Sequence, residues 1–356
     1  MRIVVDVSPL SHPRTGIGNY IQGSLGGMAA AATGRHELVA LAATSLRGPA
    51  AIRAALAGIP VHQRVLRLPA SHALRTVWSR AGRPPVEWLA GRLDAFLFSE
   101  WMYPAQRSGV RATVFHDLVP LHHPEWCTAR TVSMHTHKAR NAARTCDVVF
   151  ANSRYTADDL STSLGIAEDR IVVAEPGIRP GLTPVGSRAD LGGPSVLGLG
   201  TIEPRKNIAR LVEAWKLLDE ELGLVLAGGE GWGDRPDLAD SRIRQLGYVP
   251  DGEIARLYRG AAVLVYPSLF EGFGIPVIEA MACGTPVVAS QHPSLDEACG
   301  DAAVRVDPLD PESIAAGVRE AVERRDELVP LGLAQAARFS WDRNGRTILA
   351  ALEERA

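Results

Sequence analysis

Short apolar runs rich in Val, Ile and Leu recur along the whole chain, and amphipathic stretches separate them. Runs of this kind mark strands buried on both faces, and their alternation with helices predicts parallel, doubly wound α/β sheets. In the first half the runs are Ile3–Val7, Glu37–Ala43, Ala95–Ser99, Ala112–His116, Val148–Asn152 and Ile171–Glu175. The second half repeats the theme at Ser195–Gly200, Gly223–Gly228, Val263–Ser268, Pro286–Ser290 and Ala303–Asp307. Asn207–Leu218, Asp251–Tyr258, Pro276–Cys283 and Pro311–Glu323 read as amphipathic helices. Two such sets predict two Rossmann-like domains. Between them, Glu175–Ser187 is dense in Pro and Gly, which resist helix and strand interiors, so it reads as the linker. We place the domains at 1–180 and 181–340, with a terminal helix over 341–356. A length of 356 residues suits two cores of that size.

Charge divides along the same boundary. Residues 1–180 hold 20 Lys and Arg against 13 Asp and Glu, while the remainder holds 18 against 27, giving the net charge of −2. Nine of the ten histidines also fall in the first half. This asymmetry suggests domains with different partners. Cys127, Cys146, Cys283 and Cys299 form no CxxC pair, so reduced thiols in a cytoplasmic protein are expected. The start, Met1 to Asp6, lacks the apolar core of a secretory signal, and no apolar run approaches the ~18 residues of a membrane span.

The richest stretch runs from Tyr266 to Ser290, where a strand end, a Gly-containing loop and a helix follow in order. Pro276 suits the first turn of that helix and Gly284 its end. Open α/β sheets bind ligands at the carboxyl ends of their strands, where this loop must lie. Its N–H groups and the helix start can seat phosphate or sugar oxygens. Glu271 precedes the helix and Glu279 lies inside it, and a carboxylate pair suits hydroxyl groups, which donate to it. Upstream, Gly200–Asn207 closes a strand and opens a helix with Asn207 as the expected N-cap. Arg205 and Lys206 there suit a diphosphate, although an Arg-Lys pair on its own is usually solvated surface. In the first half, Thr15–Tyr20 carries Gly16 and Gly18, which would let the backbone approach a ligand or simply form a turn. It is not GxGxxG, which disfavours a dinucleotide oxidoreductase. His116 and Asp117 sit at another strand's carboxyl end; a His there could bind a sugar hydroxyl or developing charge, though a lone His is more often structural. There is no Asp-x-Asp and no GxxxxGK[ST] phosphate loop, so a diphosphate would be held by cations and backbone donors, with no metal cofactor expected.

Together these residues resemble glycosyltransferase family 4, the retaining enzymes of the GT-B fold, and in particular its mannosyltransferase-like members. The matching pieces are Thr15–Tyr20, Phe115–Leu118, Ala151–Ser153, Gly200–Asn207, Gly228–Gly233, Gly247–Pro250, Glu271 to Glu279 and Phe339–Trp341. The resemblance implies two Rossmann-like domains facing a central cleft, with the terminal helix returning to the first domain. It implies that Glu279 binds the donor's ribose, that Glu271 binds the transferred sugar, and that Arg205 and Lys206 hold the leaving diphosphate. Gly272, Phe273 and Gly274 would complete the donor loop, and Tyr248 would border the base. Gly16 and Gly18 would close over the phosphates and acceptor, with Asn19, Tyr20 and Asp117 on the acceptor side and His116 against the transferred sugar. Asn19 stands where related members more often carry Arg, so this loop brings no extra cation.

The resemblance makes the chain a hexosyltransferase of polysaccharide biosynthesis, using a nucleotide sugar and a glycan, lipid-linked or small-molecule acceptor. GDP-mannose is the favoured donor, with a UDP-sugar or dTDP-rhamnose as alternatives. A nucleotide-sugar epimerase or hydrolase of the same fold is the rival, as is a non-catalytic nucleotide-sugar binder. From Arg64 to Arg92, arginines interleave with Leu66, Leu68, Leu74, Val77, Trp78, Trp88 and Leu89, a pattern that could rest on an anionic membrane surface or form an ordinary solvated helix pair. Nucleic acid is a poor partner for a slightly acidic chain.

Overall fold

A computed structural model describes residues 1–12, 15–32, 34–99, 101–232 and 236–356. They form two compact units: residues 1–177 with 340–356, and residues 178–339.

The first unit is built on seven parallel strands: β1 (Arg2–Asp6), β2 (Glu37–Thr44), β3 (His62–Arg67), β4 (Ala95–Phe98), β5 (Val110–Phe115), β6 (Val148–Ala151) and β7 (Ile171–Val173). Their order is β3-β2-β1-β4-β5-β6-β7, with Val4 of β1 between Val39 and Phe96. The period of two sends Ile3 and Val5 to one core layer and Val4 to the other. The first layer packs helices Gly16–Ala32 and Trp341–Arg355; the second packs helix Ala129–Thr145.

Helices Gly16–Ala32 and Trp341–Arg355 touch through their backbones. A Cβ on Gly27 would strike the Trp341 carbonyl, and one on Gly345 would strike the Gly27 backbone. Asn344 fixes the same junction, donating to the Ala174 carbonyl (2.9 Å), the Glu175 carbonyl (2.8 Å) and the Tyr20 hydroxyl (3.2 Å).

The second unit has six parallel strands: β8 (Ser195–Leu199), β9 (Gly223–Ala227), β10 (Ile243–Gly247), β11 (Val263–Tyr266), β12 (Val287–Ser290) and β13 (Val304–Val306), in the order β10-β9-β8-β11-β12-β13. Each sheet therefore reverses its winding beside its own first strand: between β1 and β4 in one unit, and between β8 and β11 in the other. Doubly wound sheets hold ligands at the strand carboxyl ends beside such a switch point. Two strands were absent from the sequence reading, β3 and β10, and both lie at a sheet edge with mostly exposed or half-buried side chains.

No described helix is long and apolar enough to cross a membrane.

Candidate functional site

The two loops that leave β8 and β11 meet at the switch point of the second unit. After β8, Gly200 takes a φ of +147° that favours glycine, and the turn Pro204–Lys206 follows. Asn207 does not cap the helix Ile208–Trp215 as expected; it takes a φ of +57° and makes no side-chain cap. Its Nδ2 donates instead to the carbonyls of Pro267 (3.1 Å) and Pro308 (2.6 Å), pinning this turn to the ends of β11 and β13. The Leu269 N–H closes the loops on each other through the Arg205 carbonyl (2.8 Å).

This pinning brings Arg205, Lys206 and Glu271 into one cluster. Glu271 Oε2 accepts from Arg205 Nη1 (2.8 Å), and Oε1 accepts from Lys206 Nζ (2.5 Å) and the Tyr266 hydroxyl (2.9 Å). Lys206 Nζ also donates to Tyr266 (2.6 Å), and Arg205 pairs with Glu203 (2.9 Å). Burial alone would push the Glu271 carboxyl up, but the Arg205 and Lys206 charges outweigh it and hold it at about 2. Burial lowers Lys206 despite the opposing pull of Glu271. The residue types offer two cations for a diphosphate and a separate carboxylate for hydroxyls; the fold joins them in one ion-pair network around the buried Glu271 carboxylate. An ammonium has three donors, and two are engaged by Glu271 and Tyr266, so Lys206 retains one for a ligand.

Glu279 has a different set of partners. It is buried in helix Ile275–Ala282, where the Arg179 guanidinium grips it as a fork (Nε–Oε1 2.6 Å, Nη2–Oε2 2.9 Å) and Tyr258 donates to Oε2 (3.3 Å). Arg179 Nη1 also reaches Asp251 (2.8 Å). Arg179 lies in the Pro/Gly-rich linker and went unnoticed in the sequence. A carboxylate among Val277, Ile278, Ala280 and Met281 does demand a buried cation, but nothing local names which one. Removing that partner should be costly: Arg179→Ala is expected to lower stability by about 3–5 kcal/mol, read by urea unfolding. Arg179→Lys should recover only part, because an ammonium cannot span both oxygens.

The remaining expectations divide. Gly272 and Gly274 line the loop before the helix, and Gly274 needs its φ of +95° and its bare Cα, since a Cβ would come 2.5 Å from Leu295. Phe273 is a core side chain, edge-on to Phe339 at 5.2 Å, and offers a donor only its backbone. Tyr248 follows β10, 52% exposed and outside the ion-pair cluster. Gly228 packs against the Gly200 backbone, while Gly233 lies outside the described residues. A groove of about 160 Å³ beside them is lined by Ile202, Glu230, Trp232 and Gln245, among others.

In the first unit, Gly16, Gly18 and Asn19 form the opening turn of helix Gly16–Ala32, where a glycine loop had been a reading of the sequence. Tyr20, expected at the acceptor, is 2% exposed; its hydroxyl donates to the Ala174 carbonyl (2.7 Å) and accepts from Asn344. Asp117 Oδ1 accepts from the Val119 N–H (3.1 Å) at the start of a short helix. His116 follows β5, edge-on to Tyr20 at 4.9 Å, and its Nε2 is buried without a partner. Burial, then the Lys138 and His135 charges, lower His116 to about 3, so its imidazole is neutral at physiological pH. It can exchange a hydrogen bond there but cannot serve as a cation.

Residues 185–338 match the family described as Glycosyl transferases group 1. The chain is 34% identical over 257 residues to the O-antigen chain mannosyltransferase B of Escherichia coli, covering 65% of this chain and 66% of that protein. It is 29% identical over 260 residues to the serotype-specific mannosyltransferase WbdA of Escherichia coli, spanning 64% of this chain but only 31% of that one. Solved structures align over nearly the whole length. Sucrose-phosphate synthase from Thermosynechococcus elongatus gives a TM-score of 0.72 at 18% identity, covering 99% of this chain and 98% of that one. Anabaena Alr3699/HepE in complex with UDP-glucose gives 0.71 at 17%, covering 99% and 100%. The two parallel sheets with their switch points thus make this a GT-B fold, and the match to the group 1 family falls within its second unit.

Proposed function

We propose that this chain is a retaining, metal-independent hexosyltransferase that takes its sugar from a nucleotide diphosphate donor, GDP-mannose first, and passes it to a glycan, lipid-linked or small-molecule acceptor. The observation that carries this reading is the Arg205–Lys206–Glu271 network at the switch point of the group 1 domain. Cations fixed at a water-poor site stabilise charge that develops on a departing diphosphate without first having to reorganise. Lys206 and Arg205 take that role, and Glu271 orients them while accepting from hydroxyls of the transferred sugar. Glu279, held by Arg179, accepts from the ribose hydroxyls. The bond between C1 and the diphosphate oxygen breaks as the acceptor oxygen bonds to C1 from the same face. The acceptor's proton passes to the departing diphosphate, so no covalent nucleophile is required.

The mannosyltransferase relatives support mannose as the sugar. The groove beside Glu230 supports guanine, whose amide and amino N–H groups donate where a carboxylate accepts. Exposed Val77 and Trp88, with Arg107 over the Trp88 ring at 6.0 Å, support peripheral contact with an anionic membrane.

Thermal-shift measurements with GDP-mannose, UDP-glucose, UDP-N-acetylglucosamine and dTDP-rhamnose, with and without EDTA, test this directly. The expected result is the largest rise for GDP-mannose, undiminished by EDTA. A rise that EDTA removes would overturn metal independence, and no rise for any donor or nucleoside diphosphate would overturn the transferase reading. Sugar isomerised in the absence of an acceptor would favour an epimerase.

A further inference from the structure

We propose that the switch point of the first unit is a binding site for a phosphate group, which the acceptor carries. The site rests on the fold of that unit alone; only the word acceptor rests on the proposed transferase function.

Four neighbouring strands end there on buried polar atoms that have no hydrogen-bond partner: Asp6 Oδ2 on β1, Ser99 Oγ after β4, His116 Nε2 after β5 and Asn152 Oδ1 after β6. Buried polar atoms are nearly always satisfied, so unpaired atoms at four adjacent strand ends mark a place that a polar ligand completes.

Charge gives the class of that ligand. Arg75, on helix Ser71–Ala81, is only 3% exposed, and its Nε and Nη1 have no partner. Its guanidinium lies 5.3 Å from the centre of the Trp101 ring, and its charge acts on Asp6. Helix Ser71–Ala81 packs on helix Ala129–Thr145, with Arg80 donating to Ser133 (2.8 Å), Arg130 to Thr76 (3.4 Å) and His137 Nε2 3.1 Å from the Ser79 carbonyl. These two helices carry Arg75, Arg80, Arg130, Lys138, Arg140 and Arg144, and no Asp or Glu at all. Lys138 is buried as well, its Nζ donating to the Val114 carbonyl (2.6 Å) at the end of β5. His72 feels the Arg130, Arg75 and His12 charges, and burial first, then those charges, lowers its pKa.

A buried guanidinium whose N–H groups bond no carboxylate is costly. The unused Nε–H and Nη1–H groups can each bond an anion's oxygen, and several cations together favour a dianion over a carboxylate. Burial raises the Asp6 pKa, against the pull of its bonds from Ser8 and of the Arg75 and Lys138 charges.

Calorimetric titration of inorganic phosphate into the full chain tests the site. Wild type is expected to bind one phosphate that Lys206→Ala retains and that Arg75→Gln weakens by roughly tenfold or more. Arg130→Gln, at the exposed rim, should weaken it a few fold and covers the case in which Arg75→Gln fails to fold. No phosphate binding by wild type, or equal binding by wild type, Arg75→Gln and Arg130→Gln, would overturn the proposal. Displacement by glycerol 3-phosphate, with no Arg75-dependent sedimentation on phosphatidylcholine vesicles containing phosphatidic acid, would point to a soluble acceptor. Arg75-dependent sedimentation would point to a lipid-borne phosphate. Donor-induced thermal shifts in Arg75→Gln or Arg130→Gln keep the two readings apart: shifts without phosphate binding sink only this site, and phosphate binding without donor shifts sinks only the transferase.

Discussion

Glu271→Ala is expected to lower turnover by two to three orders of magnitude, a loss of about 3–4 kcal/mol of transition-state stabilisation comparable to removing an oxyanion donor. The carboxylate has three partners, Arg205, Lys206 and Tyr266, so its loss does more than delete a contact to the sugar. Lys206 would be left in a buried position that already lowers its pKa, without the negative charge that opposes the lowering. The positive charge that meets the departing diphosphate would then be less well supported. Glu271→Gln keeps the shape and tests the charge alone; it should recover little turnover while folding better than the alanine variant. Lys206→Ala should fall in the same range, with Arg205→Ala milder because Glu203 shares that guanidinium. Steady-state kcat and kcat/KM for sugar transfer, with circular dichroism as the folding control, decide the matter. Near-normal turnover in Glu271→Ala, Glu271→Gln and Lys206→Ala together would remove this network from the chemistry.

The second large effect concerns stability. Gly27→Leu or Gly345→Val should each cost about 3 kcal/mol, at the upper end of ordinary overpacking. For a unit of this size that is a fall of roughly 6–12 °C in Tm. The cause is the backbone contact between helices Gly16–Ala32 and Trp341–Arg355, where any side chain must part the helices. Parting them would also pull Asn344 from the Ala174 and Glu175 carbonyls, leaving buried acceptors unpaired. Gly16→Ala is the contrast. Its Cβ would meet nothing within 4 Å, and alanine loses less backbone freedom on folding, so Tm should hold or rise slightly. Equal losses from Gly16→Ala and Gly27→Leu would show that glycine flexibility, not close approach, matters in this helix.

How far the chain could be read without its structure follows from what is local. Every central strand announces itself, because a strand covered on both faces must be apolar at nearly every position, as in Val263–Tyr266 and Val148–Ala151. The edge strands β3 and β10 do not: His-Gln-Arg-Val-Leu-Arg and Ile-Arg-Gln-Leu-Gly meet the core on few positions and read as polar surface. Pro276 and Gly284 bracket their helix because ring-fixed φ and left-handed φ are properties of single residues. Asn207 failed as a cap for the converse reason, since carbonyls of Pro267 and Pro308, 60 and 101 residues away, compete for its side chain.

The site divides in the same way. Its residue types, a Gly-containing loop flanked by two glutamates and an Arg-Lys pair, stand in the sequence, and so do the strand ends that carry them. Which charge meets which does not. Arg179 reaches Glu279 across 100 positions, and Lys206 reaches Glu271 across 65. Those pairings exist only once the sheet order has set β8 beside β11 and folded the linker back on helix Ile275–Ala282. The two doubly wound sheets are written locally in the chain, because burial on both faces imposes a pattern on each strand separately. Which cations meet a carboxylate, and which, like Arg75, are buried with N–H groups that have no hydrogen-bond partner, is settled by folding, because electrostatic pairing depends on distances that chain closure alone creates.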